Sequence, residues 1–236
     1  MDGKTVTIVD YGLGNLYSIR RAVEYLGGSA VIAEEPSLVA EAKRLILPGV
    51  GAFGKGMDNL IKMGLVDILK DFAASGRPML GICLGMQLLM DESEELGRRK
   101  GLGIIRGKVV RLSGDSASVP CKIPHIGWNT VSRARPSGCW DGTILNGLPE
   151  GCFMYFVHSY APAPSDSGDT ISVTEYGGKV FSSAIQKGSV CGCQFHPERS
   201  ASGGLMVLDN FIKRVPEPGG TGAGDRSDYD RKVINR

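Results

Sequence analysis

Pro78-Met79-Leu80-Gly81-Ile82-Cys83-Leu84-Gly85-Met86-Gln87 is the stretch on which the fold turns. Residues 78–82 read as a short buried strand, and residues 84–95 as an amphipathic helix. Between them stands a cysteine in the pattern Gly81-x-Cys83-x-Gly85. A residue at such a strand-to-helix turn is held on a sharp bend that exposes its side chain. The start of the helix presents backbone N–H groups to the sulfur, which favours the thiolate.

Upstream, the same alternation repeats. Val6–Asp10 is an apolar strand, and Tyr11-Gly12-Leu13-Gly14-Asn15 a turn. Leu16, Ile19, Arg20, Val23 and Leu26 then recur at helical spacing, with Gly27-Gly28 as a stop. Ala30–Ala33 and Arg44–Leu47 read as the second and third strands, the latter ended by Pro48-Gly49. Met57–Phe72 reads as one helix with Leu60, Ile61, Leu65, Ile68, Leu69 and Phe72 on a face. Strands alternating with helices predict an α/β fold with a parallel sheet covered on both sides. Beyond Arg98 the pattern changes. Residues 107–112, 127–131, 153–160, 171–176, 180–184 and 190–195 read as strands without intervening helices, which predicts an antiparallel extension. A helix over 204–215 closes the domain. The reading is one domain over 1–215, since no linker interrupts it. From Pro216 the run Pro-Glu-Pro-Gly-Gly-Thr-Gly-Ala-Gly and a mixed-charge end make 216–236 a disordered tail.

Composition excludes several classes. A chain of 236 residues should bury roughly 70–75% of its unfolded surface, enough for a core without staples. Net charge is +2, and no basic cluster with interleaved aromatics argues for nucleic acid. There is no signal-peptide core and no 18-residue apolar stretch, so a cytoplasmic location is expected. The six cysteines then read as reduced thiols. Cys191-Gly192-Cys193 lacks a second ligand pair at metal spacing. No metal and no cofactor is expected.

Only three histidines are available as a base. His125 and His158 read as core or site-lining residues. His196 ends an apolar strand in Gln194-Phe195-His196-Pro197-Glu198, and Pro197 suits a strand terminus. Two residues apart on an extended chain, Glu198 lies on the same side as His196 and can orient the ring. Cys83, His196 and Glu198 thus form a candidate nucleophile, base and orienting carboxylate for acyl transfer. Gly49-Val50-Gly51-Ala52-Phe53-Gly54 matches GxGxxG, but it follows the third strand and a proline, so a dinucleotide site is a weak reading. The loop suits an oxyanion hole better, with one N–H from Leu84 and another from Gly49-Val50-Gly51.

With these residues assembled, the chain resembles the class I (triad) glutamine amidotransferases. Within them it resembles the subfamily of glutaminase subunits of imidazole glycerol phosphate synthase, in histidine biosynthesis. The resemblance covers about residues 4–214. It rests on Asp10–Asn15, Leu47–Phe53, Gly81–Gln87, Pro124-His125-Ile126-Gly127-Trp128-Asn129, Tyr155-Phe156-Val157-His158-Ser159-Tyr160 and Gln194–Glu198. It implies a flavodoxin-like, mostly parallel open sheet flanked by helices. Cys83 becomes the nucleophile, His196 the acid/base and Glu198 its orienter. Leu84, Val50 and Gly51 would supply the oxyanion hole. Gly51, Gln87, Glu95, Ser159 and Tyr160 would hold glutamine; Glu95 reads otherwise as the solvated end of an acidic helix. The implied partner is a (β/α)₈ cyclase subunit in a heterodimer, which receives the ammonia and activates the glutaminase allosterically when it binds its nucleotide. Reorientation of the Val50-Gly51 peptide is the expected switch. Asn15, Trp128, Tyr155 and Arg199 would lie on the docking face, although Asn15 also reads as a helix cap and Trp128 as core. Arg199 stands where the family often has lysine, and the two cations differ in geometry.

Three rivals remain: another amidotransferase subunit, as for anthranilate or pyridoxal phosphate synthesis; a non-catalytic flavodoxin-like module; and a nucleotide-binding protein built on Gly49–Gly54.

Overall fold

The computed structural model describes residues 4–112, 121–135 and 138–213; the expected tail lies outside them. The first part runs β1 (Thr5–Val9), α1 (Leu16–Tyr25), β2 (Ser29–Ala33), α2 (Pro36–Ala40), β3 (Leu45–Leu47), α3 (Phe53–Lys62), α4 (Val66–Ala74), β4 (Met79–Ile82) and α5 (Leu84–Leu88). There follow β5 (Glu92–Ser93), β6 (Arg99–Lys100), β7 (Gly107–Arg111), β8 (His125–Arg133), β9 (Cys152–His158), β10 (Tyr160–Pro164), β11 (Thr170–Tyr176), β12 (Lys179–Lys187), β13 (Val190–Cys193) and α6 (Ala201–Lys213).

Nine strands form one sheet in the order β2-β1-β3-β4-β13-β12-β11-β8-β9. The first five are mutually parallel, and β12, β11, β8 and β9 continue antiparallel. The expected sheet and its extension are therefore both present. Strands β3, β4 and β13 are buried along their whole length, as parallel strands between two helical layers must be. On one face, Ile19 and Val23 of α1 and Val207, Leu208 and Phe211 of α6 pack on Ile8, Ile46 and Ile82. On the other, Phe53, Met57 and Leu60 of α3, Leu69 and Phe72 of α4, and Leu84 and Leu88 of α5 pack on Leu45, Leu47 and Met79.

Four expectations need correction. The helix expected over 57–72 is two helices, because Gly64 adopts φ +66° just beyond the α3 C-cap Met63, a left-handed stop that glycine takes readily. The helix expected over 84–95 ends at Leu88. The chain then enters β5, which pairs with β7 in a second sheet ordered β10-β7-β5-β6. Residues 107–112 accordingly belong to that second sheet, not to the extension. The strand expected over 153–160 is two strands, β9 in the large sheet and β10 in the small one.

Candidate active site

Three parallel strands deliver the candidate chemistry to one end of the sheet. Beyond β3 comes the Pro48–Gly51 loop, beyond β4 comes Cys83, and beyond β13 come Gln194 to Glu198. Ligands of open α/β sheets bind at the carboxyl ends of the strands. The register Cys193↔Ile82 and the bond from Cys83 N–H to Cys193 O (2.8 Å) fix these ends side by side.

Cys83 has φ 52° and ψ −109°, a positive-φ conformation that is strained for a residue with a side chain. The turn is tight. A Cβ on Gly85 would overlap the carbonyl oxygen of Leu47, and one on Gly81 would lie 2.7 Å from Met86 N. Both glycines of the motif are thus set by close approach.

His196 Nδ1 lies 2.9 Å from Glu198 Oε1, with both side chains buried. The contact leaves Nε2 as the other ring nitrogen, turned towards Cys83 and without a close hydrogen bond among the described residues. Burial disfavours an imidazolium here, but the facing Cys83 and the Glu198 carboxylate outweigh it and hold the pKa up at about 10. Near neutral pH the ring therefore carries two protons and can release one to a leaving group. His158 and His125 behave oppositely: burial pushes them down to about 3 and about 4. They are neutral members of a chain in which His125 Nδ1 meets His158 Nε2 (3.2 Å) and His158 Nδ1 meets Tyr160 O (2.9 Å).

Leu84 N–H, an expected oxyanion donor, is already engaged: it donates to Gly49 O at 3.3 Å. The carbonyl that engages it belongs to the Gly49–Val50 peptide, which directly precedes the Val50–Gly51 peptide expected to reorient. Its neighbour is pinned by the buried Tyr11, whose hydroxyl donates to Pro48 O at 2.7 Å. Gly49 faces the nucleophile turn, where a Cβ would collide with the Tyr11 hydroxyl and lie 2.8 Å from Leu84 Cβ. Gly49 is thus packed against Leu84 and Tyr11, while Val50 beside it is exposed.

A cleft of about 390 Å³ opens over Cys83, with Val50, Gly51, Leu84, Gln87, Glu95, Ser159 and Tyr160 among its lining. That size suits one small molecule. Every residue expected to hold substrate is therefore brought to one place, though not always with free polar atoms. Gln87 Nε2 donates to Tyr160 O (2.8 Å) and to Gln194 Oε1 (3.1 Å), and Ser159 O accepts from Leu112 N (2.9 Å). Glu95 is not the end of a helix; it follows β5, and its Oε2 accepts from Phe53 N–H at the start of α3 (2.6 Å). A wider hollow of about 810 Å³, lined by Lys70, Asp91, Lys100 and Lys187 among others, shares none of these residues.

Trp128, Tyr155 and Arg199 share one surface. Trp128 is 51% exposed, so it is not core. It meets the Tyr155 ring edge-on at 6.0 Å, and the Arg199 guanidinium lies 4.5 Å from the Tyr155 ring centre. Asn15 precedes α1, which packs against the 197–199 turn, and its side chain makes no capping bond. The six cysteines are free thiols, and Cys191 and Cys193 are buried strand residues. No helix among the described residues is long and apolar enough to cross a membrane. Sequence reasoning did not assign roles to Gln194 or Tyr11. Both stand inside recognised motifs, and only the fold reveals what they touch.

A family model described as glutamine amidotransferase class-I matches residues 7–215. The chain belongs to the class I glutamine amidotransferase family. Among curated amidotransferases, the imidazole glycerol phosphate synthase subunit HisH 1 of Legionella pneumophila (strain Lens) is 41% identical over 210 residues, 89% of this chain and 99% of that protein. The HisH subunit of Syntrophotalea carbinolica is 45% identical over 208 residues, 87% of this chain and 98% of that protein. Solved structures share the fold at lower identity. PurLQS from Thermotoga maritima superposes with a TM-score of 0.66 at 16% identity, covering 90% of this chain and 99% of that one. The glutaminase domain of Trypanosoma brucei CTPS, bound to acivicin, gives 0.58 at 16%, covering 88% and 93%.

Proposed function

We propose that this amidotransferase is the glutaminase subunit of an imidazole glycerol phosphate synthase, acting in histidine biosynthesis. Near-complete coverage of HisH relatives at 41–45% identity supports the pathway. The observation that carries the chemistry is the buried His196–Glu198 pair facing a cysteine on a strained strand-to-helix turn. Cys83 Sγ attacks the side-chain amide carbon of glutamine and forms a tetrahedral oxyanion. His196 donates its proton to the leaving nitrogen, so ammonia departs and a glutamyl thioester remains. Water, deprotonated by His196, then hydrolyses the thioester to glutamate and restores the thiol. Glu198 holds the ring in the required orientation throughout.

The plugged oxyanion hole makes this a resting enzyme. Turning the Gly49–Val50 peptide would free Leu84 N–H and bring Val50 N–H towards the oxyanion, and each such donor contributes about 10²–10³ in rate. The cyclase subunit supplies the trigger and accepts the ammonia; Trp128, Tyr155, Arg199 and Asn15 form its docking face. The cleft holds glutamine, with Glu95 beside the substrate ammonium. Glutamate release is to be measured from glutamine by the purified chain alone, and with the cyclase plus its nucleotide ligand. Strong activation supports both chemistry and partner. Activity indifferent to the cyclase would reassign the pathway, and none in either state would overturn the triad.

A further inference from the structure

Gln194 follows β13 directly and is completely buried. The direction of its amide is dictated by a backbone carbonyl two links away. Tyr160 O can only accept, so Gln87 must turn its Nε2 towards it, at 2.8 Å. The same Nε2 lies 3.1 Å from the Gln194 side chain, so Gln194 must present oxygen there. Its own Nε2–H is then left facing Cys83 Sγ, at 3.5 Å. Flipping either amide would set donor against donor or acceptor against acceptor at the buried Gln87–Gln194 contact, which leaves desolvated polar groups unpaired.

The sulfur's surroundings give this donor a purpose. Besides His196, which faces it, Sγ lies 3.9 Å from Val157 O. A carbonyl accepts from a thiol but offers nothing to a thiolate. Leu84 N–H, the nearest backbone donor in sequence, is engaged by Gly49 O. Once the Cys83 proton has moved to His196, the Gln194 N–H is a preset donor to the anionic sulfur, and such charge-assisted bonds are the strong ones.

We propose that Gln194 is a catalytic residue that stabilises the Cys83 thiolate through its side-chain N–H, with Gln87 as the positioning residue that locks its amide. The inference rests on the glutaminase reading for its meaning, but not for its test. Cys83 alkylation by iodoacetamide is followed against pH in the full chain, by mass spectrometry of the Cys83 peptide, for the wild type, Gln194→Met and Gln194→Glu. Methionine keeps length and removes the donor; glutamate keeps shape and adds a repelling charge. The expected result is a profile moved to higher pH by about one unit for methionine, and further for glutamate. In the complex with the cyclase, kcat for glutamate release falls about tenfold with KM within twofold. Gln87→Met shifts the profile in the same direction by less. A folded Gln194→Met or Gln194→Glu protein with the wild-type alkylation profile overturns the proposal, as does a rise in KM at unchanged kcat. A wild type that releases no glutamate would instead sink the glutaminase reading, while alkylation would still decide the role of Gln194.

Discussion

Lowering the pH should unfold this protein through His158, and the size of the effect follows from its environment. The ring is buried, which is the main reason its pKa falls to about 3; the neighbouring His125 and His196 push the same way, and its bond to Tyr160 O opposes them only partly. Unfolded, the same histidine titrates near 6.5. Because the folded value is depressed, the unfolded chain takes up the proton first, so stability is present above about pH 6.5 and is lost as pH falls towards 3. Between pH 7 and pH 5 the unfolded histidine becomes almost fully protonated while the folded one stays neutral, a loss of about 2 kcal/mol. His125 adds to the loss in the same direction. Urea unfolding at pH 7 and pH 5 measures it, with His158→Gln as the comparison. Glutamine can still donate to Tyr160 O but cannot titrate. The variant should be less stable at pH 7 yet show a drop between the two pH values smaller by about 2 kcal/mol. Equal drops for the two proteins would refute the reasoning.

Cys83→Ala should abolish glutamate release while leaving the thermal midpoint within a few degrees, as a calorimetric scan would show. Glu198→Gln should lower kcat by about 10³–10⁴, because the neutral amide can face Nδ1 with the wrong group and fix the wrong tautomer; steady-state rates in the cyclase complex check this. Gly85→Ala should destabilise by about 2–3 kcal/mol through the overlap of its Cβ with Leu47 O, read from chemical denaturation. Trp128→Ala should weaken cyclase binding at least about tenfold by titration calorimetry, and leave the alkylation rate of Cys83 unchanged.

Much of this was legible from periodicity. The alternation of apolar runs and amphipathic stretches in residues 5–82 gave the parallel half, since each element there is set by its own window. Most of what failed depended on distant partners. Residues 89–112 leave helix because Leu88 O, Leu89 O and Met90 O meet Leu102, Ile104, Ile105 and Gly103 N–H groups in the next loop, and no window shows that. The break after His158 was equally hidden. Pro162 and Pro164 argue against a central strand, yet β10 lies at the edge of the small sheet, where they are tolerated. The stop at Gly64 was visible as Met63-Gly64, but the continuing apolar period of Leu65, Ile68 and Leu69 outweighed it. In the candidate site, Cys83, His196 and Glu198 could be singled out because motif spacing places them. The plug at Gly49 and the amide chain through Gln194 were not, because both depend on which way a peptide or an amide faces.

The bond between Gly49 and Leu84 bears on leakage. Glutamine is present whether or not a nitrogen acceptor is waiting, so a complete hole would release ammonia idly. At 3.3 Å the bond is a modest one, so in the proposed reading the closed state is one side of an equilibrium with an open minority. Idle turnover is then a measure of how rarely one peptide turns over. Start-up needs no assembly, because the cysteine, imidazole and carboxylate already stand in their folded positions.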